Sequence, residues 1–174
     1  ARALGYEELL LLDDSSDRKF SDGLEKHDIF IAIGDNAVRE RVTKKVEAAG
    51  FNIVSLIHPS AVISPTATVG KGVVAMPYVV INARAVVADG VILNTAAIIE
   101  HDCVVGAFAH VSPNAALAGN VTLKERVHFG IGSCAIQGVV VGADSIIGAG
   151  SVVVREVPEK VVAYGNPVKI GRTL

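Results

Sequence analysis

Tryptophan is absent from this 174-residue chain, methionine occurs once, and aromatic residues make up only 5%. A core with so few rings must be filled by short branched side chains. The 51% hydrophobic content is rich in Val, Ile and Ala, which suits a narrow core. Neither sign of charge dominates: 16 Lys and Arg face 18 Asp and Glu, for a net charge of −2. No basic field for nucleic acid follows from that balance. Two cysteines, Cys103 and Cys134, are too few and too far apart for a metal motif. No apolar run reaches membrane-spanning length, because Asn, Asp, Lys and Gly interrupt each stretch. No charged-then-apolar leader opens the chain. The chain reads as soluble and cytoplasmic, with room for one domain or two small ones.

A six-residue period fills most of the length. Every sixth residue from Ile57 to Val153 is apolar, including Ala75, Leu93, Ile99, Leu117, Phe129 and Ile147. The position four further on is small throughout, as at Ala61, Ala85, Cys103, Ala115, Ser133 and Ser151. A fixed period of this length marks a repeat architecture. Six residues fit neither a helix nor a hairpin meander, but they fit one side of a parallel β-helix. Strand alternation puts each period residue and the small residue two before it on one face, which is then the inside. The third and fourth positions of each hexad become corners, as at Lys71-Gly72, Asp89-Gly90 and Glu125-Arg126. Three hexads make a triangular coil of eighteen residues, and each coil hydrogen-bonds to the next. Cys103 falls in the inward row, which predicts a buried free thiol.

Residues 1–56 follow a different grammar. Ala1–Gly5 reads as the tail of a helix whose preceding strand is missing, so the sequence looks incomplete at its start. Glu8–Leu12 reads as a buried strand ending at Asp13-Asp14, and Asp28–Ile33 as a second strand stopping at Gly34. Asp35 suits an N-cap, followed by a helix over Asn36–Ala49 with Val38, Val42, Val46 and Ala49 on one face. Phe51–Leu56 is a third strand leading into the repeats. Strand, helix and strand in turn predict a small Rossmann-like α/β unit, residues 1–56, ahead of a β-helix with a C-terminal tail, residues 57–174.

The hexads, with "IHPSAVISPTATVG" (57–70), "NTAAIIEHDCVVGAFAHVSP" (94–113) and "AYGNPVKI" (163–170), resemble the hexapeptide-repeat sugar-nucleotide acetyltransferases. The match is to those that N-acetylate the 4-amino group of UDP-linked sugars, as in bacillosamine synthesis. Perosamine N-acetyltransferases and sialic-acid O-acetyltransferases are near relatives. The resemblance implies a mainly β fold, a left-handed parallel β-helix, with acetyl-CoA as co-substrate and no metal. It implies a homotrimer with active sites between subunits, and His101 as general base oriented by an adjacent carboxylate. By position, Glu100 and Asp102 join His101 in the catalytic set. Asn94 and His110 complete the site, and His110, Gly119, Ile131 and Ala149 match residues lining the coenzyme. The family binds its nucleotide sugar in the N-terminal unit, where Asp13, Asp14, Gly34, Asp35 and Asn36 match strand-end positions. The family's glycine-rich loop of the form GxGGHG is absent here.

Placing residues on the prism adds a constraint. His101 falls on a corner, whereas His110 points outward from mid-strand on the opposite side, roughly 15 Å away. Asn94 lies one coil before His110 on that same side. A site holding all three takes His101 from one chain and His110 with Asn94 from its neighbour, and threefold closure is natural. Imidazole suits removal of a proton from an ammonium near neutral pH. Gly119 stacks on the His101 corner one coil later, where a missing side chain leaves room for a pantetheine arm. His27 and His128 read as ordinary surface residues and His58 as structural. Three other readings stay open: O-acetylation of a sugar hydroxyl, a non-catalytic scaffold, and metal-dependent hydration with His101, His110 and His128 as ligands.

Overall fold

Seventeen two-residue strands, one every six residues from Leu56–Ile57 to Val152–Val153, form a parallel β-solenoid. The computed structural model describes residues 1–13, 19–21 and 23–174. Each strand pairs in parallel with those eighteen residues before and after: Ile98 faces Val80 on one side and Ala116 on the other. Three flat faces result. One contains Ile98–Ile99, the next Val104–Val105, and the third His110–Val111. The C-terminal hairpin, Val161–Tyr164 with Lys169–Thr173, extends the third face and closes that end.

The second residue of each strand and the small residue two before it fill the interior. Leu93, Ile99, Val105, Val111, Leu117, Leu123, Phe129 and Ile147 have no exposed surface, and neither do Ala85, Ala97, Cys103, Ala109 and Ala115. Burying each larger member contributes about 1.5–3 kcal/mol. Hydroxyls in the small row are hydrogen-bonded, as buried polar groups must be. Ser133 Oγ donates to Gly148 O (2.8 Å) and Ser145 Oγ to Pro158 O (2.8 Å). The Cys103 thiol takes the same role, donating to Ala118 O at 3.1 Å. Cys103 is a buried free thiol, and Cys134 is free and exposed.

Corners turn at the third and fourth hexad positions, and the fourth adopts left-handed backbone, as at Arg84 (φ 58), Asp102 (φ 62) and Asn120 (φ 59). A residue with a Cβ pays about 1–2 kcal/mol there, less for Asn and Asp. Main-chain bonds hold the corners in register: Asp102 N donates to Ala83 O (3.0 Å), and Asn120 N to His101 O (2.8 Å).

The N-terminal unit is smaller than the sequence predicts. Asp28–Ile29 pairs in parallel with Asn52–Ile53, and helix α1 (Asn36–Ala48) connects them. Asp35 caps that helix, its Oδ1 accepting from Val38 N at 2.8 Å, and Gly50 follows in the left-handed region (φ 80). Ile31, Val46, Phe51 and Ile53 form its core. Glu8–Leu12 is not a buried strand. It has no assigned secondary structure, and Leu9, Leu10 and Leu11 are 47%, 62% and 78% exposed. No strand among the described residues lies beside it, so its apolar run has neither a ladder nor a core to join. The strand expected over Asp28–Ile33 shortens to two residues, and Arg2–Leu4 makes a single 3₁₀ turn.

Helix α1 docks on the corner between the Val104 and His110 faces. The buried Arg39 guanidinium donates to Gly90 O (2.8 Å) and Phe108 O (2.7 Å) of the solenoid, and to Ile33 O (2.9 Å) and Asn36 Oδ1 (2.8 Å) of its own unit. Burial pulls its pKa down to about 10, with nearby Asp35 acting the other way. Arg126 on the same corner pairs with Glu40 of the helix (3.0 Å) and with Asp144 (2.6 Å).

Candidate active site

His101 occupies the corner between the Ile98 and Val104 faces, in the turn after Ile98–Ile99. Its Nδ1 lies 2.8 Å from Asp102 Oδ2. Hydrogen bonds from Arg84, and then from His101, hold the Asp102 carboxyl down to about 2. An ionised carboxylate only accepts, so Nδ1 donates and Nε2 of the neutral ring is left bare. Glu100 sits on the other side, its Oε2 accepting the His101 backbone N–H at 3.3 Å. One coil on, Gly119 lies directly against the ring. A Cβ there would come within 2.5 Å of His101 Cε1 and 2.6 Å of Nε2. The space left by the missing side chain is therefore taken up by the imidazole itself.

His110 projects outward from the third face. Asn94, one coil earlier, places its Nδ2 3.2 Å from His110 Nε2. Asn94 Oδ1 accepts the Thr95 N–H (2.8 Å), which fixes the amide so that Nδ2 donates. His110 Nε2 is then an acceptor, its proton sits on Nδ1, and that atom is buried with no hydrogen-bond partner. Burial, then His128 and Arg39, lower its pKa to about 4, so the ring is neutral near pH 7.

His128 is not the ordinary surface residue its sequence context suggests. It pairs with His110 in the ladder and is half-buried, with ring centroids 4.9 Å apart and nearly edge-to-face. Its Nε2 is 3.4 Å from Ser112 Oγ, and burial, with Arg39, lowers its pKa. The eighteen-residue spacing from His110 was the signal that places it there. His58, in contrast, closes its own turn, with Nδ1 2.8 Å from Ser60 Oγ.

The remaining candidates fall into two groups. Ile131 and Ala149 are exposed and stack on the corner between the His110 and Ile98 faces, eighteen residues apart. Gly34, Asp35 and Asn36 lie at the N-terminus of α1, where they are engaged in holding the unit together. Gly34 O accepts from Arg39, Asp35 caps the helix, and Asn36 Nδ2 donates to Arg126 O at 3.0 Å. This junction abuts the His110 face. Asp13 is exposed, and Asp14 lies outside the described residues. A single chain thus brings Glu100, His101, Asp102 and Gly119 together on one corner. Asn94, His110 and His128 gather on the face across the prism. Among the described residues no group of three His, Cys, Asp or Glu side chains is placed to hold a metal ion.

A triangular parallel solenoid with an acid-flanked imidazole on one corner defines a class, and comparison with known proteins agrees with it. No family model matches the chain. PerB from Caulobacter crescentus, solved with CoA and GDP-perosamine, is 48% identical with a TM-score of 0.83, over 83% of this chain and 70% of that one. The acetyltransferase domain of PglB from Neisseria gonorrhoeae is 39% identical with a TM-score of 0.91, over 97% and 90%, and has also been solved with acetyl coenzyme A. The chain belongs to the hexapeptide-repeat sugar acetyltransferases. Among curated sequences, GDP-perosamine N-acetyltransferase of Escherichia coli O157:H7 is 28% identical over 144 residues, 80% of this chain. The chain spans 65% of that relative's length. Among the described residues no helix is long and apolar enough to cross a membrane.

Proposed function

We propose that this chain transfers an acetyl group from acetyl-CoA to the 4-amino group of a nucleotide-linked 4-amino-4,6-dideoxy sugar, with His101 as general base. The observation that carries the proposal is the imidazole at an open corner, its Nδ1 held 2.8 Å from Asp102 and its Nε2 free. Relatives solved with CoA, acetyl-CoA and GDP-perosamine support the two substrate classes. Nε2 takes the proton that the ammonium loses, and the freed nitrogen pair attacks the thioester carbonyl. The tetrahedral intermediate then loses the second surplus proton of its nitrogen to solvent and collapses, breaking the C–S bond, and the proton held at Nε2 passes to the departing sulfur. Asp102 stabilises the imidazolium in between. The product is an N-acetyl sugar and free CoA.

The site is shared in a homotrimer, His101 of one chain facing Asn94 and His110 of the next. Supporting this, His101 and His110 lie on opposite sides of one prism. Clefts of about 260 and 200 Å³ lie by the C-terminal hairpin and under helix α1, away from both histidines. The outward row of the Ile98 face is apolar from end to end, with Val62, Val80, Ile98, Ala116, Cys134 and Val152 in succession. A row of that kind suits burial against another copy. A neutral His110, held by Asn94, presents its ring to the site without adding charge beside the thioester. Gly119, Ile131 and Ala149 line the path of the coenzyme along the corners, and the nucleotide lies against the α1 junction.

The test is thiol release from acetyl-CoA with a panel of UDP- and GDP-linked amino sugars. His101→Ala is expected to slow transfer by about 10²–10⁴, and an unchanged rate overturns the assignment. A monomer in solution that transfers at full speed overturns the shared site.

A further inference from the structure

The corner carrying His101 stacks directly on the corner carrying Arg84, because neighbouring coils are eighteen residues apart. The Arg84 guanidinium reaches along that stack to the Asp102 carboxylate with both prongs, Nε to Oδ1 at 2.7 Å and Nη2 to Oδ2 at 2.9 Å. Oδ2 is the same oxygen that faces His101 Nδ1. An exposed ion pair by itself contributes little to stability. This one differs because its shared oxygen fixes the partner of the proposed base.

We infer that Arg84 is a positioning residue for acetyl transfer, locking the Asp102 carboxylate in the rotamer that orients His101 and moderating the negative charge the ring feels. The inference rests on His101 being the base. The other charged groups beside His101 are Asp102, against the ring, and Glu100, whose contact is with the His101 backbone N–H. Gly119 presses on the ring from the next coil and brings no charge. Arg84 is the cation in this set, and it pairs with the one carboxylate that touches the ring. An imidazole that stays neutral at working pH keeps Nε2 available to accept the proton. Arginine suits the task where lysine does not, since its planar fork holds both carboxylate oxygens at once.

The experiment measures kcat and kcat/KM against pH for Arg84→Met, Arg84→Lys and His101→Ala, with thermal melts as a check on folding. Removing the cation lets Asp102 act on the ring undiminished, so the base becomes stronger. The acidic limb of the Arg84→Met profile is expected to move up by about 0.5 pH unit. Its kcat is expected to fall about three- to tenfold as Asp102 samples other rotamers. Arg84→Lys keeps the charge and loses the fork, so its limb stays in place while kcat falls. A merely structural ion pair would change the melt and leave the limb alone. An Arg84→Met limb that stays put or moves down overturns the inference, whatever happens to kcat. If His101→Ala transfers at the normal rate, the assignment of the base fails instead. If His101→Ala is inactive and Arg84→Met matches the parent profile, the role of Arg84 alone fails.

Discussion

Adding one methyl group at Gly119 should slow transfer about 100-fold while leaving the fold intact. In Gly119→Ala the new Cβ would sit 2.5 Å from His101 Cε1, 2.6 Å from Nε2 and 3.2 Å from Nδ1. Non-bonded carbons rest about 3.5–4.0 Å apart, so the ring must retreat by about 1 Å. That retreat disturbs the geometry of the 2.8 Å contact between Nδ1 and Asp102 Oδ2. It also carries Nε2 out of line with the acceptor nitrogen. A misplacement of about 1 Å costs about 100-fold in rate, equivalent to about 2.7 kcal/mol in the barrier. Stability should barely change. Gly119 is not in left-handed backbone, so alanine fits its φ. The loss of glycine's freedom in the unfolded chain stabilises by about 0.4–1 kcal/mol. The His101 side chain is 58% exposed and moves aside cheaply. The assay is thiol release at saturating substrates, alongside a thermal melt. A variant with kcat within threefold of the parent and a native melt would refute the reasoning.

Two further outcomes follow from the buried cations and imidazoles. Arg39→Met strips donors from the main-chain carbonyls that join helix α1 to the solenoid, and should cost about 3 kcal/mol, seen as early hydrogen exchange over residues 36–53. Unchanged protection there would show that the docking rests on other contacts. Burial lowers His110 to about 4 and lowers His128, against about 6.5 when unfolded. Below pH 6.5 the unfolded chain therefore binds more protons, and stability is lost as pH falls towards 4. Denaturation midpoints at pH 7 and pH 5 measure this, and His110→Gln should flatten the difference.

The solenoid was legible because its signal is periodic. One inward residue every six, with a small residue between, admits one strand direction and three faces, and every strand from Leu56–Ile57 to Val152–Val153 falls in that register. The α1 helix was legible from Asp35 and Gly50. Glu8–Leu12 misled because an apolar run becomes a strand only when another strand lies beside it. Arg39 was missed for a different reason. The helix face seemed to be set by Val38, Val42, Val46 and Ala49, yet Arg39 and Thr43 are buried with Val46. Arg39 is held by main-chain carbonyls, which leave no mark in a sequence. His128 and Arg84, however, were within reach. Each lies eighteen residues from a residue already singled out, His110 and Asp102, and the coil length alone makes them neighbours.

The prism also dictates what kinds of length change its descendants can tolerate. Losing or gaining eighteen residues shortens or lengthens the column by one storey, and every wall keeps its orientation. A gain of six between His101 and His110 turns everything downstream through a third of a revolution. His110 would then look out from a different wall, and the proposed pocket with an adjoining copy would lose that partner. Length variation among such proteins is thus expected in whole storeys inside the column, with odd-sized inserts confined to loops budding from its edges.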